Sequence, residues 1–440
     1  MTSINKISLS NKNLLSKFSH GLVLNILLKF KGLIYFPIIV NFLDKEDVGE
    51  IAYVKSITAL LVGLLLLNIP DSSNRLILKE ENKKVLLTIN SITNFCFVFG
   101  IVIVMVFCFI AKALDLLDDR VIFIVSTLLV AGLVQKLSQY VFQIYQNTKL
   151  LMRTILITEY ISLGIVVLVL YNDWYNDAFV ILYIYSFFVF ISSIYLINKL
   201  FKEYSFKKYL DIKVIKNVLK ISLFLFPASY SMALIQSSDF VILEHSLGYE
   251  VLGEYSFAYS LASIVSGFSM ALTFFWYSSV VYADDEKLIA LIKKITKISL
   301  LFFAFVVLGY YLFTEPVVNL INEEYVSVFN IVMILVIGFF INILNQIFQG
   351  VMYAKKKEKY ILIDTAFCAL INIVLNIVFI PKYGVIFAAF STSISYLILY
   401  TFRFNYIFKL LPGLKGGGVK LFFYFFLFSS LGLTIYFLWI

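Results

Sequence analysis

Long apolar runs are the feature of this sequence that most restricts its fold. Runs of roughly 20 residues, separated by short polar breaks, recur from about residue 20 to the last residue, and each is long enough to cross a ~30 Å hydrocarbon core as a helix. Because 61% of the residues are apolar and only 14% are charged, such a chain would not stay soluble in water. We therefore predict an all-α membrane protein.

The apolar runs predict six spans in each half of the chain. In the first half they cover 20–43, 51–70, 88–111, 121–145, 154–171 and 178–198. In the second half they cover 218–243, 255–282, 295–313, 326–352, 360–380 and 384–408. The last apolar run, 419–440, is either a thirteenth span or a re-entrant hairpin. The prediction is thus about twelve transmembrane helices, or thirteen if the last run also spans.

The distribution of basic residues predicts the orientation. One set of alternate loops holds the N-terminal lysines, a cluster over 199–220 and later basic groups that include Arg403. The opposite loops hold only Lys45, Lys112, Arg120 and Lys382. Because cytoplasmic loops carry the excess of Lys and Arg, the N-terminus is expected in the cytoplasm. The net charge of +9 is then a topology signal, and no nucleic-acid partner is predicted.

An internal repeat predicts two lobes. Residues 43–57 read LDKEDVGEIAYVKSI and residues 247–261 read LGYEVLGEYSFAYSL, with Leu, Glu, Gly and Glu in register. Six spans per copy is an even number, so the copies should be related by an axis along the membrane normal, a parallel repeat. The predicted domains are an N-terminal six-helix lobe with its linker, a C-terminal six-helix lobe and an additional apolar segment, at 1–210, 211–411 and 412–440.

Two stretches resemble a known family. The hairpin 40–53 has an acidic residue, a Gly and an aromatic residue before the second span, and 372–384 reads NIVLNIVFIPKYG. Both are similar to segments of the Wzx-type polysaccharide flippases (O-antigen or capsule repeat-unit flippases) of the MOP exporter superfamily, the second to the eleventh span and its IPxxG exit turn. Phe387 stands where that family usually has a Gly. We expect Phe387 to change how the last two spans of the second lobe pack.

The resemblance implies transport without chemistry. A member of this family moves an undecaprenyl-diphosphate-linked oligosaccharide from the inner to the outer leaflet of the bacterial cytoplasmic (inner) membrane, here by alternating access. Its implied partners are the lipid-linked oligosaccharide, the membrane, a polysaccharide polymerase and chain-length machinery.

Four lysines inside apolar runs are the candidate cavity residues. Lys29 and Lys31 lie in the first span, Lys55 in the second and Lys136 in the fourth. Each costs ~2.5–3.5 kcal/mol at the centre of a span, so each needs a wet cavity or a partner. A lysine-lined cleft would attract a diphosphate head group. Structural ion pairs and snorkelling are the alternatives.

Two polar stripes give candidate sugar contacts. The fourth span carries Gln135, Gln139, Gln143 and Gln146, and the tenth carries Asn342, Asn345, Gln346 and Gln349. Such stripes commonly join helices by hydrogen bonds. The sugar-binding alternative rests on the repeat, which matches the pair Gln139 and Gln143 with the pair Asn345 and Gln349.

Three acidic residues lie within spans. Glu159 is expected to pair with Arg153 or Lys136, and Asp364 with Lys359, and the alternative for both is a proton site. Asp239 has no basic neighbour in the sequence and follows Gln236, Ser237 and Ser238. It is the candidate site for a coupling cation.

Missing motifs narrow the functional classes. The sequence has no GxxxxGK[ST] motif, only two His residues and no paired cysteines, so no cofactor, metal site or disulfide is predicted. No loop has room for a soluble catalytic domain, and the chain is not expected to be an enzyme. One alternative is a multidrug or cation exporter of the same fold, which should hold buried acids in place of lysines. The other, a polymerase or glycosyltransferase, should show a long extracellular loop or an acidic motif.

Overall fold

The computed structural model describes residues 31–32, 34–70, 72–73, 82–145, 148–203, 209–281, 283–414 and 419–439, and most of these residues are helical. No strand occurs in these ranges. Residues 34–42 are helical, and the helices that follow are α1 (Lys45–Leu65), α2 (Asn82–Ala113), α3 (Asp119–Ile144), α4 (Thr148–Tyr171), α5 (Ala178–Glu203), α6 (Ile212–Leu247), α7 (Tyr249–Val281), α8 (Asp285–Ile321), α9 (Phe329–Ala354), α10 (Glu358–Tyr383), α11 (Val385–Leu410) and α12 (Val419–Trp439). Short 3₁₀ helices cover Glu323–Val328 and Pro412–Leu414.

The apolar helices confirm the prediction of an all-α membrane protein. Within the described ranges, ten helices are long and apolar enough to cross a membrane. The last apolar run forms one continuous helix of 21 residues, α12, which excludes the re-entrant hairpin. Phe426 anchors α12, because its ring lies 5.0 Å from that of Phe303 and 5.7 Å from that of Tyr400.

The described chain forms two compact units. The first contains Lys31 and Val54–Tyr230, and the second contains Gly32–Tyr53 and the chain from Ser231 onward. The expected boundary at residue 210 lies inside the first of these units, and the division into two lobes and a further segment stays a prediction. The start of α6 belongs to the first unit, where Ser222 donates a hydrogen bond to the carbonyl of Leu67. Residues 412–414 and 419–439, expected to be separate, belong to the second unit.

The IPxxG exit turn joins α10 to α11 in the second unit. Gly384 has φ +70° and ψ −153°, a conformation that residues with a side chain rarely adopt. Phe387, where the sequence departs from the family it resembles, packs at this turn. Its ring centroid lies 4.8 Å from that of Phe379 and 5.2 Å from that of Phe390.

Candidate functional site

A cavity of about 650 Å³ lies within the first unit and is lined by four helices. Lys55 and Thr58 of α1 lie on one face because they are three residues apart. Gln139 of α3 follows Lys136 by three residues and Gln135 by four, so these side chains also lie on one side of their helix. Helices α4 and α5 complete the wall. Three residues predicted from the sequence, Lys55, Lys136 and Gln139, therefore line the same cavity.

One aromatic ring in this cavity wall contacts two lysines. The Nζ atoms of Lys31 and Lys55 lie 5.1 Å and 5.5 Å from the ring centroid of Tyr185. The Tyr185 hydroxyl donates a hydrogen bond of 3.1 Å to Glu159, which also forms an ion pair with Lys31. Cation–π contacts stabilise ammonium groups that are partly removed from water. The cluster thus holds two positive charges and one negative charge.

The partner predicted for Glu159 was wrong. The sequence suggested Arg153 or Lys136, which are close along the chain, but the structure pairs Glu159 with Lys31. The exposed fractions of the Lys31 and Glu159 side chains are 12% and 17%. The pair joins residues 128 positions apart, so no local spacing indicates it.

Some predicted residues lie outside the described structure. Lys29 and Gln146 are outside the described residues, and Gln143 belongs to α3 but its side chain is not described. Their proposed contacts with substrate stay predictions. The described part of the glutamine stripe, Gln135 and Gln139, faces the cavity.

Asn345 and Gln349 of the second polar stripe belong to a hydrogen-bond network in the second unit. The Asn345 amide donates a hydrogen bond of 3.0 Å to the Tyr396 carbonyl. Gln349 accepts a bond of 3.4 Å from Arg403. These contacts join helices, which is the alternative considered for the stripe. Contact of Asn345 and Gln349 with sugar stays a prediction.

Arg403 is the centre of that network. From the sequence it had been counted among the basic residues that indicate the cytoplasmic side. It lies within α11 and exposes 1% of its side chain. Its guanidinium donates to Asp364 at 3.1 Å, to Thr365 at 2.9 Å and to the Asn345 carbonyl at 3.1 Å. The prediction that Asp364 pairs with Lys359 was therefore wrong. Asp364 and Arg403 were both noted in the sequence, but nothing in the sequence indicated that they form a pair.

Asp239 lies in a second buried polar cluster of the same unit. Among the described residues, its carboxylate accepts hydrogen bonds from the Tyr255 hydroxyl, from Thr392 at 3.4 Å and from the backbone N–H of Phe240 at 3.0 Å. The side chain is fully buried.

Asparagines of α10 extend this cluster. Asn372 accepts hydrogen bonds of 3.3 Å from Ser238 and from Asn376. Ser391 in turn donates to Asn376. The Asn372 amide nitrogen is buried and has no hydrogen-bond partner among the described residues. Asn372 and Asn376 are four residues apart and so share a helix face. This spacing was visible in the sequence, where both residues counted only toward the family resemblance.

The two copies of the repeated motif meet in the second unit. A Cβ at Gly49 would lie 1.9 Å from the carbonyl oxygen of Tyr249, and one at Gly253 would lie 2.0 Å from that of Lys45. Only glycine permits so close an approach of two backbones. Beside this crossing, Lys45 donates to Glu254 at 2.6 Å. The Gly of the repeat is therefore a contact residue in each copy.

Solved structures share this fold at low sequence identity. An inward-facing multidrug resistance MATE family transporter of the MOP superfamily is 12% identical, with a TM-score of 0.68, over 88% of this chain and 95% of that chain. The lipid II flippase MurJ in an inward closed conformation is 14% identical, with a TM-score of 0.59, over 96% and 97%. A MOP superfamily transporter from Pyrococcus furiosus is 13% identical, with a TM-score of 0.55, over 95% and 99%.

The helices and these likenesses define a multi-pass membrane protein with the fold of the MOP superfamily transporters. Residues 14–277, more than half of the chain, match the family described as polysaccharide biosynthesis protein. The chain belongs to this polysaccharide biosynthesis protein family. No curated protein matches the sequence.

Proposed function

We propose that this protein flips an undecaprenyl-diphosphate-linked oligosaccharide from the inner to the outer leaflet by alternating access. The observation that carries the proposal is the cavity of about 650 Å³ lined by Lys55, Lys136 and Gln139. A charged residue within a membrane helix is costly unless it serves a pathway or a partner. Membership of a polysaccharide biosynthesis family supports a substrate that carries sugars.

The chemistry of the cavity suits a diphosphate. Lysine is a compact point charge on a flexible stem, so it can keep contact with a phosphate that moves. Lys55 lines the cavity, and Lys31 lies beside Tyr185 in its wall. The amides of Gln135 and Gln139 supply donors and acceptors for sugar hydroxyls. Phosphate and sugar would thus meet different residues of one cavity.

Deletion of the gene in the host tests the proposal. The lipids would be extracted and their undecaprenyl-diphosphate oligosaccharides measured by mass spectrometry. We expect complete units to accumulate while the surface polysaccharide disappears. Incomplete units would indicate a glycosyltransferase instead. Unchanged lipid-linked sugars together with sensitivity to cationic drugs would favour the multidrug or cation exporter, whose specific support is the buried carboxylate of Asp239.

Lys55→Ala should reduce export by about tenfold or more. A hydrogen bond to a charged group contributes ~1.5–3 kcal/mol, which corresponds to a 10- to 100-fold change. The measurement is restoration of surface polysaccharide in the deletion strain at equal protein level. Lys29→Ala is expected to act in the same way. Lys112→Ala is the control, because Lys112 is exposed and pairs with Asp119 away from the cavity. Full export by Lys55→Ala would contradict the proposed role.

We also propose that Asp239 binds a coupling cation. A carboxylate that accepts hydrogen bonds from two hydroxyl groups and one backbone N–H offers a single negative charge, which suits a monovalent ion or a proton. No group of three or more His, Cys, Asp or Glu side chains able to hold a metal occurs among the described residues.

Asp239→Asn should therefore remove the stimulation of transport by a cation gradient. Proteoliposomes would receive a Na⁺ or H⁺ gradient, and the flipping of a labelled polyprenyl-diphosphate oligosaccharide would be measured. We expect the variant to transport at the rate seen without a gradient. Asp119→Asn, at an exposed position, should respond as the wild type does. If Asp239→Asn still responds to the gradient, the coupling site lies elsewhere.

We further propose that the protein lies in the bacterial cytoplasmic membrane with its N-terminus in the cytoplasm, beside a polysaccharide polymerase and chain-length machinery. The concentration of lysines in alternate loops supports this orientation. Reporter fusions after the basic segment 199–220 and after Asp118 would test it, because these sites should lie on opposite sides.

A further inference from the structure

A second cavity, of about 450 Å³, lies in the first unit beside the segment that joins the two halves of the sequence. We name it the linker cavity. Its wall includes Phe97 and Val98 of α2, Phe201 of α5 and Leu210, which follows α5. Eight of its eleven lining residues have pure hydrocarbon side chains. A cavity of this character favours an apolar ligand over water.

The side chains of Thr93 and Asn94 in the wall both donate hydrogen bonds within the protein. The Thr93 hydroxyl donates to the Ile89 carbonyl at 2.8 Å, and the Asn94 amide donates to the Tyr209 carbonyl at 3.2 Å. These bonds leave an apolar surface facing the cavity. The second bond also fastens the linker to α2, as does the bond of 2.9 Å from the Asp211 N–H to Ser91.

Three residues of the cavity wall are also exposed on the surface of the first unit. Val98, Phe201 and Leu210 expose 61%, 56% and 58% of their surface, although each lines the cavity. In a bilayer, exposed apolar side chains on spanning helices meet lipid tails. Lipid is therefore the apolar ligand that can enter.

Two exposed lysines lie close in sequence to residues of the cavity wall. Lys202 follows Phe201, and Lys213 lies three residues after Leu210, and both side chains are exposed. The nearby carboxylate of Asp211 accepts bonds from the backbone N–H groups of Lys213 at 2.9 Å and Val214 at 3.3 Å. Basic pockets at the membrane surface attract anionic head groups.

We propose that the linker cavity binds an acyl chain of an anionic phospholipid, with the head group held by Lys202 and Lys213. The apolar wall would contact the acyl chain, and the two lysines would contact the head group. Because Leu210 and Tyr209 form part of the wall, the bound lipid packs directly on the linker. This site is separate from the lysine-lined cavity and does not depend on the transported substrate.

Native mass spectrometry of the full-length protein in detergent tests this proposal. The protein would be titrated with dioleoylphosphatidylglycerol and with dioleoylphosphatidylcholine, which have the same tails. We expect at least fivefold more retained phosphatidylglycerol. Val98→Trp should fill the cavity and reduce the retained phosphatidylglycerol to the phosphatidylcholine level. Val102→Trp is the matched control, one turn along the same helix, 50% exposed and outside the cavity wall, and it should bind as the wild type does.

The head-group contact is tested by Lys202→Ala combined with Lys213→Ala, which should abolish the preference for phosphatidylglycerol. Lys287→Ala combined with Lys293→Ala, at exposed positions in α8, should keep it. Because Lys202 and Lys213 are exposed, their double variant still tests the proposal if Val98→Trp does not fold. Equal binding of the two lipids by the wild type would overturn the proposal, as would an unchanged preference in the Lys202 and Lys213 variant. Displacement of phosphatidylglycerol by undecaprenyl phosphate at lower concentration would assign the cavity to a polyprenyl chain and overturn it as well.

Discussion

Arg403→Ala is expected to destabilise the second unit by ~3–5 kcal/mol, because removal of one partner of a buried ion pair leaves the other charge uncompensated. Asp364 would lose its guanidinium contact at 3.1 Å, and the Asn345 carbonyl would lose its donor at 3.1 Å. The three helices α9, α10 and α11 meet at this residue. The measurement is unfolding of the purified protein in mixed micelles with increasing dodecyl sulfate. We expect the transition at clearly lower dodecyl sulfate.

A double variant separates loss of the charge pair from loss of volume. Arg403→Met combined with Asp364→Leu removes both charges and keeps most of the packing, and such replacements are often neutral. The double variant should therefore regain most of the lost stability. Lys359→Ala, the partner that the sequence had suggested for Asp364, should unfold as the wild type does. Wild-type stability of Arg403→Ala would contradict the assigned network.

Gly49→Val should prevent the close crossing of the two repeated motifs. The new Cβ would lie 1.9 Å from the Tyr249 carbonyl oxygen, a backbone atom that cannot move away by changing a rotamer. Overpacking costs ~1–3 kcal/mol, and a contact with backbone belongs at the upper end of that range. The ion pair of Lys45 with Glu254 beside the crossing would also separate. Gly253→Val should have the same effect, because its contact is reciprocal.

The measurements for Gly49→Val are dodecyl sulfate unfolding and export in the deletion strain. We expect lower stability and export below a tenth of the wild-type level. Gly164→Val is the matched control, because a Cβ at Gly164, within α4, meets no atom within 4 Å. The control should be close to wild type in both measurements. Normal stability and export of Gly49→Val would show that the crossing is not required.

Short-range patterns carried the correct predictions. Apolar length predicted membrane helices because the bilayer thickness is fixed and an α-helix rises 1.5 Å per residue. Helical periodicity also placed Gln135 and Gln139 on one face of α3, where the structure has the cavity. The thirteenth apolar run remained ambiguous, since a span and a hairpin have the same composition. In the structure the run is one continuous helix, α12, in which Phe426 packs against Phe303 and Tyr400.

Long-range pairings were the main errors. Glu159 was assigned to Arg153 or Lys136, and Asp364 to Lys359, because those basic residues are near in sequence. The actual partners are Lys31 and Arg403, which come from other helices. Tyr185 was not considered, although its ring lies beside Lys31 and Lys55. Nothing in an apolar, aromatic-rich helix marks one tyrosine as different from its neighbours.

The sequence by itself determined the solvent of this protein, its helices and the types of residue available to a cavity, because each follows from hydrophobic length or local periodicity. The tertiary structure alone decided which charges neutralise one another and which lysines remain at the cavity. It also decided where the chain passes from one compact unit to the other, which is between Lys31 and Gly32, within α1 and within α6. The physical reason is that a buried charge is stabilised by whichever partner packing brings within ~4 Å, and that distance is unrelated to separation along the chain.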